Sequence, residues 1–233
     1  MIFIPLIMAH LIGDFILQPN SWVADKERKK GQSIYLYLHV ILHVFLTYIL
    51  LWDRNLWWIA LTIGVTHYLI DWAKLQFQNP KTKRTWFFID QAAHIFVIAI
   101  LSVTYFPFLR WEDFINSRNL SLITAIIFLT VPSSIFIKNI ISIWTPVTVE
   151  HSKLQTESLV NAGKYIGILE RLLVFVFILV DHWEGVGFMI AAKSVFRFSD
   201  LAEAKQRKLT EYVLIGTLLS FGIAILTGIW VKI

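Results

Sequence analysis

The predicted fold class is all-α, a polytopic transmembrane helical bundle, and three observations predict it. The chain is 57% hydrophobic and 16% charged over 233 residues, less charge than a soluble domain of that length carries. Trp and Tyr gather at the ends of long apolar runs, as at Trp22, Tyr35, Trp52, Trp57, Trp58, Trp86 and Trp144. That is the aromatic belt of membrane helices. Finally, the ionisable residues inside the runs come in pairs four apart, which places each pair on one helix face.

A span needs about 20 apolar residues. On that measure about 7–8 spans are expected, at Ile2–Gln18, Ile34–Trp52, Leu56–Ala73, Trp86–Phe106, Leu120–Ile143, Tyr165–Val180, Gly185–Phe198 and Glu211–Val231. The first run has no basic n-region and no small-residue cleavage site, so it reads as a span rather than a signal peptide. Pro132 is expected to kink the fifth. The run at 185–198 is short, either a brief crossing or a re-entrant hairpin. Val149–Ala162 is amphipathic and ends at Asn161-Ala162-Gly163. It reads as a cytoplasmic interfacial helix with a stop at the glycine, or else a plain loop. The organisation expected is a single membrane domain, 1–233. Residues 1–106 form a four-helix half with the His/Asp pairs, and 107–233 form a C-terminal half with the interfacial segment at 149–163.

The net charge of +5 is distributed by loop. The first, third, fifth and seventh loops hold twelve Lys and Arg, including Lys26, Arg28, Lys29, Lys81 and Lys83. The alternate loops and the end of the chain hold four. By the positive-inside rule the odd loops are cytoplasmic, in a multi-pass membrane protein. The basic balance speaks for orientation and lipid contact, with no nucleic acid as partner. There is no cysteine, so a metal site would use nitrogen and oxygen ligands.

The pairs are His10/Asp14, His39/His43, His67/Asp71 and Asp90/His94. Ionisable residues inside membrane segments are expensive and mark functional sites. Spans one and three run inward and read His then Asp, whereas span four runs outward and reads Asp then His. The order flips with helix direction, so His10, His43, His67 and His94 share a deep layer. Asp14, His39, Asp71 and Asp90 share a shallow one, about 6 Å nearer the cytoplasm at ~1.5 Å per residue. For any single pair an interhelical Asp–His hydrogen bond is explanation enough. Four pairs in register point to a metal site, as in bundles that project carboxylates and imidazoles inward. All eight residues are candidate ligands for one or two divalent ions, zinc, manganese or iron.

Gln18, Lys74 and Gln91 border the same faces. Lys74 follows Asp71 by three and either pairs with it, binds a substrate anion, or snorkels. Lys26 sits in a charge run that reads as solvated. In the C-terminal half, Arg171, Lys193 and Arg197 are candidates for holding an anionic substrate. The alternative for them is salt bridging to Glu170 or Glu211.

The stretches AHLIGDFILQ, LHVILH, THYLIDWAK and DQAAH resemble a bacterial integral-membrane family of unknown function, DUF3307. NAGKYIGILERLL, AAKSVFRF and EYVLIGTLLSF look like the same family's C-terminal part. The His/Asp pattern is also distantly similar to inner-membrane proteins labelled metal-dependent hydrolases. That similarity implies hydrolysis at the cytoplasmic face, with a metal-bound water and Asp14 or Asp90 as the proton acceptor. Lys74 would act beside them on an unknown, anionic or lipid-linked substrate. A non-enzymatic scaffold with a structural metal is the second expectation. A metal-ion transporter is the third, disfavoured by apolar outer span halves and the lack of a repeat. Homo-oligomerisation stays open.

Overall fold

The structure is a computed structural model and describes residues 2–105, 118–144, 157–198 and 207–233. The described residues are helical throughout apart from short connections. The helices are α1 (Phe3–Leu11), α2 (Asn20–Lys29), α3 (Ile34–Leu51), α4 (Trp57–Phe77), α5 (Lys83–Tyr105), α6 (Arg118–Leu129), α7 (Val131–Ile141), α8 (Glu157–Leu179), α9 (Trp183–Phe198) and α10 (Arg207–Lys232). The chain divides into two compact units, Met1–Thr124 and Ala125–Ile233.

Among the described residues, three helices are long and apolar enough to cross a membrane: Ile34–Leu51, Lys83–Thr104 and Glu211–Lys232. The bent pair Arg118–Leu129 and Val131–Trp144 makes a fourth if it is one span. The expected 7–8 spans are therefore too many, and each shortfall has a cause. The first apolar helix, Phe3–Ile16, is short, and α9 has only 16 residues. In α4 the polar His67, Asp71 and Lys74 offset the apolar run. In α8, Lys164, Glu170 and Arg171 do the same.

In the first unit the helices turn their polar residues inward. The buried positions of α3 are Leu36, His39, His43 and Thr47, one stripe at helical spacing. Ile34, Ile41 and Phe45 on the other faces are exposed. On α5, Asp90, His94, Ile98 and Ser102 are buried at successive turns, while Phe96 and Val103 are exposed. Apolar outside and ionisable inside is the arrangement a bilayer favours. Beyond the polar stripe, Ile2, Leu6, Leu56, Ile59, Ile63 and Ile98 close an apolar core. Gly64 lets α3 and α4 approach, since a Cβ there would lie 2.3 Å from Val44 Cγ2.

Residues 20–32, expected as a solvated loop, are instead α2 followed by a 3-10 turn. Asp25 anchors this segment. It accepts hydrogen bonds from Ser33 Oγ (2.8 Å) and Arg28 (3.0 Å) and an ion pair from Lys29 (2.9 Å). The bond from Lys29, with those from Ser33 and Arg28, holds its carboxyl at about 2. Glu27 reaches Lys83 at the start of α5, 2.6 Å away.

In the second unit the chain breaks at Pro132, as expected, with a bend of 44° between α6 and α7. Proline has no N–H to offer the preceding turn, and Ser133 Oγ donates to the Phe128 carbonyl at 2.6 Å in its place. The 185–198 run is one uninterrupted helix rather than a hairpin. The expected stop at Gly163 is absent, because α8 runs through it from Glu157. The rest of the proposed interfacial segment, 149–156, lies outside the described residues.

Candidate metal centre

Four helical elements of the first unit deliver the site. The chain after α1 does not continue as a regular α-helix. Ile12–Ile16 is a π-helical turn, closed by Leu17 N donating to Ile12 O at 2.9 Å. Such turns recur at functional sites, and this one carries Asp14. Gly13 sits against His43, where an added Cβ would lie 2.4 Å from the ring nitrogen Nε2. Only glycine lets the imidazole of α3 reach Asp14 there.

Five of the seven histidines converge with three aspartates. Asp14 Oδ1 lies 3.0 Å from His43 Nε2, 3.2 Å from His39 Nε2 and 3.4 Å from His67 Nε2. Its Oδ2 lies 3.8 Å from His10 Nε2. His39 Nε2 and His67 Nε2 are 3.0 Å apart. The ring centroids of the deep-layer histidines are 3.8 Å apart for His43 and His67 and 4.0 Å for His67 and His94. Those of His10 and His94 are 5.0 Å apart. All eight residues named from the sequence thus meet in one cluster. His10, His39, His43, His67, Asp71, Asp90 and His94 are all buried, and Asp14 nearly so.

The cations around the cluster differ from expectation. Lys26 is buried, with Nζ 2.8 Å from Asp71 Oδ2. The charge run disguised this, because its neighbours Arg28 and Lys29 do face out. Lys74 binds Asp90 on the next helix, 2.9 Å from Oδ2, rather than Asp71 on its own. Its ammonium is engaged within the cluster, which argues against its expected catalytic or substrate-binding role. Gln91 is more central than its sequence position implied. Its Nε2 donates to Asp14 Oδ2 (2.9 Å) and Asp90 Oδ2 (3.1 Å), and its Oε1 meets His10 Nε2 at 3.2 Å. The i+1 spacing from Asp90 was the one signal for it. Gln18 has a buried side-chain nitrogen with no hydrogen-bond partner among the described residues.

Three tests bear on whether these residues fit a divalent metal. The first is charge. Three carboxylates against two ammoniums leave one negative charge in excess when the imidazoles are neutral, so the site can take a cation, and a divalent ion would bring its sum to +1. The second is spacing. Ligands about 2.1 Å from a tetrahedral ion lie about 3.4 Å from one another, close to the separations around Asp14 Oδ1. Three groups satisfy a looser criterion, with ligand atoms all within 4.8 Å of one another. They are His10/Asp14/His43/His67, His39/His67/Asp71 and Asp14/Asp90/His94. The third is satisfaction. Asp90 Oδ1, His94 Nε2 and His39 Nδ1 are buried with no hydrogen-bond partner among the described residues. Buried native polar groups are normally paired. The residues fit.

Two of the three substrate-binding candidates of the second unit are otherwise occupied. Arg171 is buried and clamps the break at Pro132. Its Nε donates to Leu129 O (2.7 Å), and one terminal nitrogen donates to Thr130 O (3.0 Å) and Ser134 Oγ (2.6 Å). The other reaches Ser220 Oγ at 3.2 Å. A broken helix frees carbonyls, and a guanidinium fork is suited to several at once. Lys193 pairs with Glu170, the alternative considered for it. Arg197 lies in α9, and its side chain is outside the described residues.

A model of the family described as "Protein of unknown function (DUF3307)" matches residues 2–123. The chain belongs to the DUF3307 family. The matched DUF3307 segment is nearly coextensive with the first compact unit and contains every residue of the His/Asp cluster. The C-terminal stretches attached to DUF3307 by resemblance fall beyond the match. Neither the curated proteins nor the solved structures return a match to this chain.

Proposed function

We propose that the first unit is a membrane-embedded centre for a resident divalent cation, zinc, manganese or iron, in a multi-pass protein of the bacterial cytoplasmic membrane. The observation that carries this reading is the convergence of five imidazoles and three carboxylates in one buried site. The ion would centre on Asp14 Oδ1 and draw on His10, His39, His43 and His67. Imidazole with carboxylate suits each of the three metals. Bound there, the ion would tie α1, α3, α4 and α5 together. The enclosure of the ligands supports a structural use, as does the engagement of both lysines inside the cluster.

A hydrolytic use is the second reading, and one observation favours it. A small cavity of about 10 Å³ is lined by His10, His43, His67 and His94 together with Thr47 and Thr66, roughly enough for one water. A metal in such a site lowers the pKa of a bound water. Asp14 or Asp90, whichever is not a ligand, would then be the proton acceptor, and a substrate from the membrane surface would have to pass α2.

Elemental analysis of the purified protein tests the first reading. Wild-type protein should carry at least one transition metal per chain, and His67→Ala should lose it while still inserting. Metal-free wild-type protein, or full occupancy in His67→Ala, refutes the proposal.

A further inference from the structure

Lys26 and Lys74 bind the cluster in the same way. Lys26 takes Asp71 Oδ2 at 2.8 Å and Lys74 takes Asp90 Oδ2 at 2.9 Å. Each carboxylate turns its other oxygen to the same imidazole. Asp71 Oδ1 and Asp90 Oδ1 both lie 3.6 Å from His94 Nε2. That separation is near the ~3.4 Å of neighbouring ligands around one ion and too long for a hydrogen bond. Asp90 Oδ1 and His94 Nε2 are buried and have no hydrogen-bond partner among the described residues. One oxygen of each carboxylate thus lies at the same distance from a single imidazole nitrogen, while the lysines hold the outer oxygens. An ion centred on Asp14 Oδ1 can be held by His10, His39, His43 and His67, and Asp90 and His94, which also come within 4.8 Å of an Asp14 oxygen, then place a second ion directly beside the first.

Charge explains why the lysines are there. Two ammoniums carry the charge of one divalent ion. With the first ion bound, exchanging both lysines for a second ion leaves the cluster's total charge unchanged. Adding the second ion with both ammoniums still in place would raise the charge by two in a buried site, a strongly unfavourable arrangement. Entry of the ion and departure of the lysines are thus coupled. The two departures differ in consequence. Lys74 is on α4, inside the bundle, with a side chain 25% exposed. Lys26 is on α2, a polar helix that covers the carboxylate side, and it is the buried charge of that helix that reaches into the cluster.

We propose that Lys26 and Lys74 are tethered ammonium ions holding the place of a second divalent cation, with Asp71, Asp90 and His94 as its ligands. Its entry expels Lys26 and loosens α2. The inference rests on the metal reading above and extends it. The second position is richer in oxygen than the first and suits a harder ion such as Mn²⁺. Loosening α2 would also uncover the centre, which is what the hydrolytic reading requires.

The test counts ions on the full-length protein in detergent, titrated with MnCl₂ alone. Wild type should hold one ion tightly and a second weakly. The double variant Lys26→Met, Lys74→Met keeps the aliphatic stems and should bind the second ion at least about tenfold more tightly. Adding Asp90→Asn to it should return the count to one. Amide hydrogen exchange then reports on α2 in the wild type. Exchange over residues 20–29 should accelerate about tenfold at the second binding step and stay unchanged at the first. This second measurement decides the matter if the lysine variants fail to fold. A wild type that binds no ion overturns the metal reading itself. A single ion at every concentration in a folded lysine variant, two tight ions in the wild type, or α2 exchange unmoved at saturation overturns this inference and leaves the first intact.

Discussion

Arg171→Met separates a structural arginine from a substrate-binding one. The methionine keeps much of the apolar stem and removes all five N–H donors. Four hydrogen bonds disappear, but their losses are unequal. Thr130 O keeps the Ser134 hydroxyl at 3.0 Å and the Ser134 N–H at 3.4 Å. The Ser134 and Ser220 hydroxyls lose a donor and can rotate. The Leu129 carbonyl loses the donor that faces it across the break, and a buried acceptor left unpaired costs about 1–3 kcal/mol. Adding the charged bond to Thr130, at about 1 kcal/mol beyond what Ser134 still supplies, gives a destabilisation of about 2–4 kcal/mol. Reversible unfolding in mixed micelles, monitored by circular dichroism, should show that loss. Metal content should stay at the wild-type value. A variant as stable as wild type that has lost metal or a ligand-binding activity would refute the assignment of Arg171 to the break at Pro132.

Three further outcomes are expected. Gly13→Ala pushes a methyl into the His43 ring, an overlap costing about 1–3 kcal/mol, and should lower metal affinity and thermal stability together; unchanged metal affinity would mean that His43 is not held by this contact. Asp25, depressed to about 2, contributes stability that is fully present above its unfolded pKa near 3.8. That contribution is lost as pH falls from there through about 2. Asp25→Asn should therefore flatten the stability profile between pH 4 and pH 2 and leave its shape at higher pH unchanged. Single cysteines placed at Arg28 and Lys81, in a chain that has none, should resist a membrane-impermeant thiol reagent in intact cells and react after lysis. Labelling from outside would reverse the orientation proposed for the centre.

The clustering of eight His and Asp residues was legible in the sequence because helix geometry is local. A spacing of four fixes a shared face, and the reversal of His and Asp order from α1 to α5 fixes a shared depth without any knowledge of packing. The break at Pro132 was legible for the same reason, as the loss of one N–H is a property of the residue itself. What the tertiary structure decided was partnership. Lys26 read as solvated because its neighbours are, and only the fold of residues 20–32 back over the bundle brings it to Asp71. Lys74 could reach a carboxylate on its own helix or the next, and the packing of α4 on α5 chose Asp90. Arg171 carries no sign in its own sequence that its donors go to carbonyls freed some forty residues earlier. The number of spans was misjudged for separate reasons. In α4 the residues that join the cluster lower the apolar content of the run, whereas α3 and α5 carry cluster residues and remain apolar enough to span, and α1 and α9 fall short by length. Spacing along one helix is set by the backbone, whereas which charge meets which across helices depends on how the bundle closes.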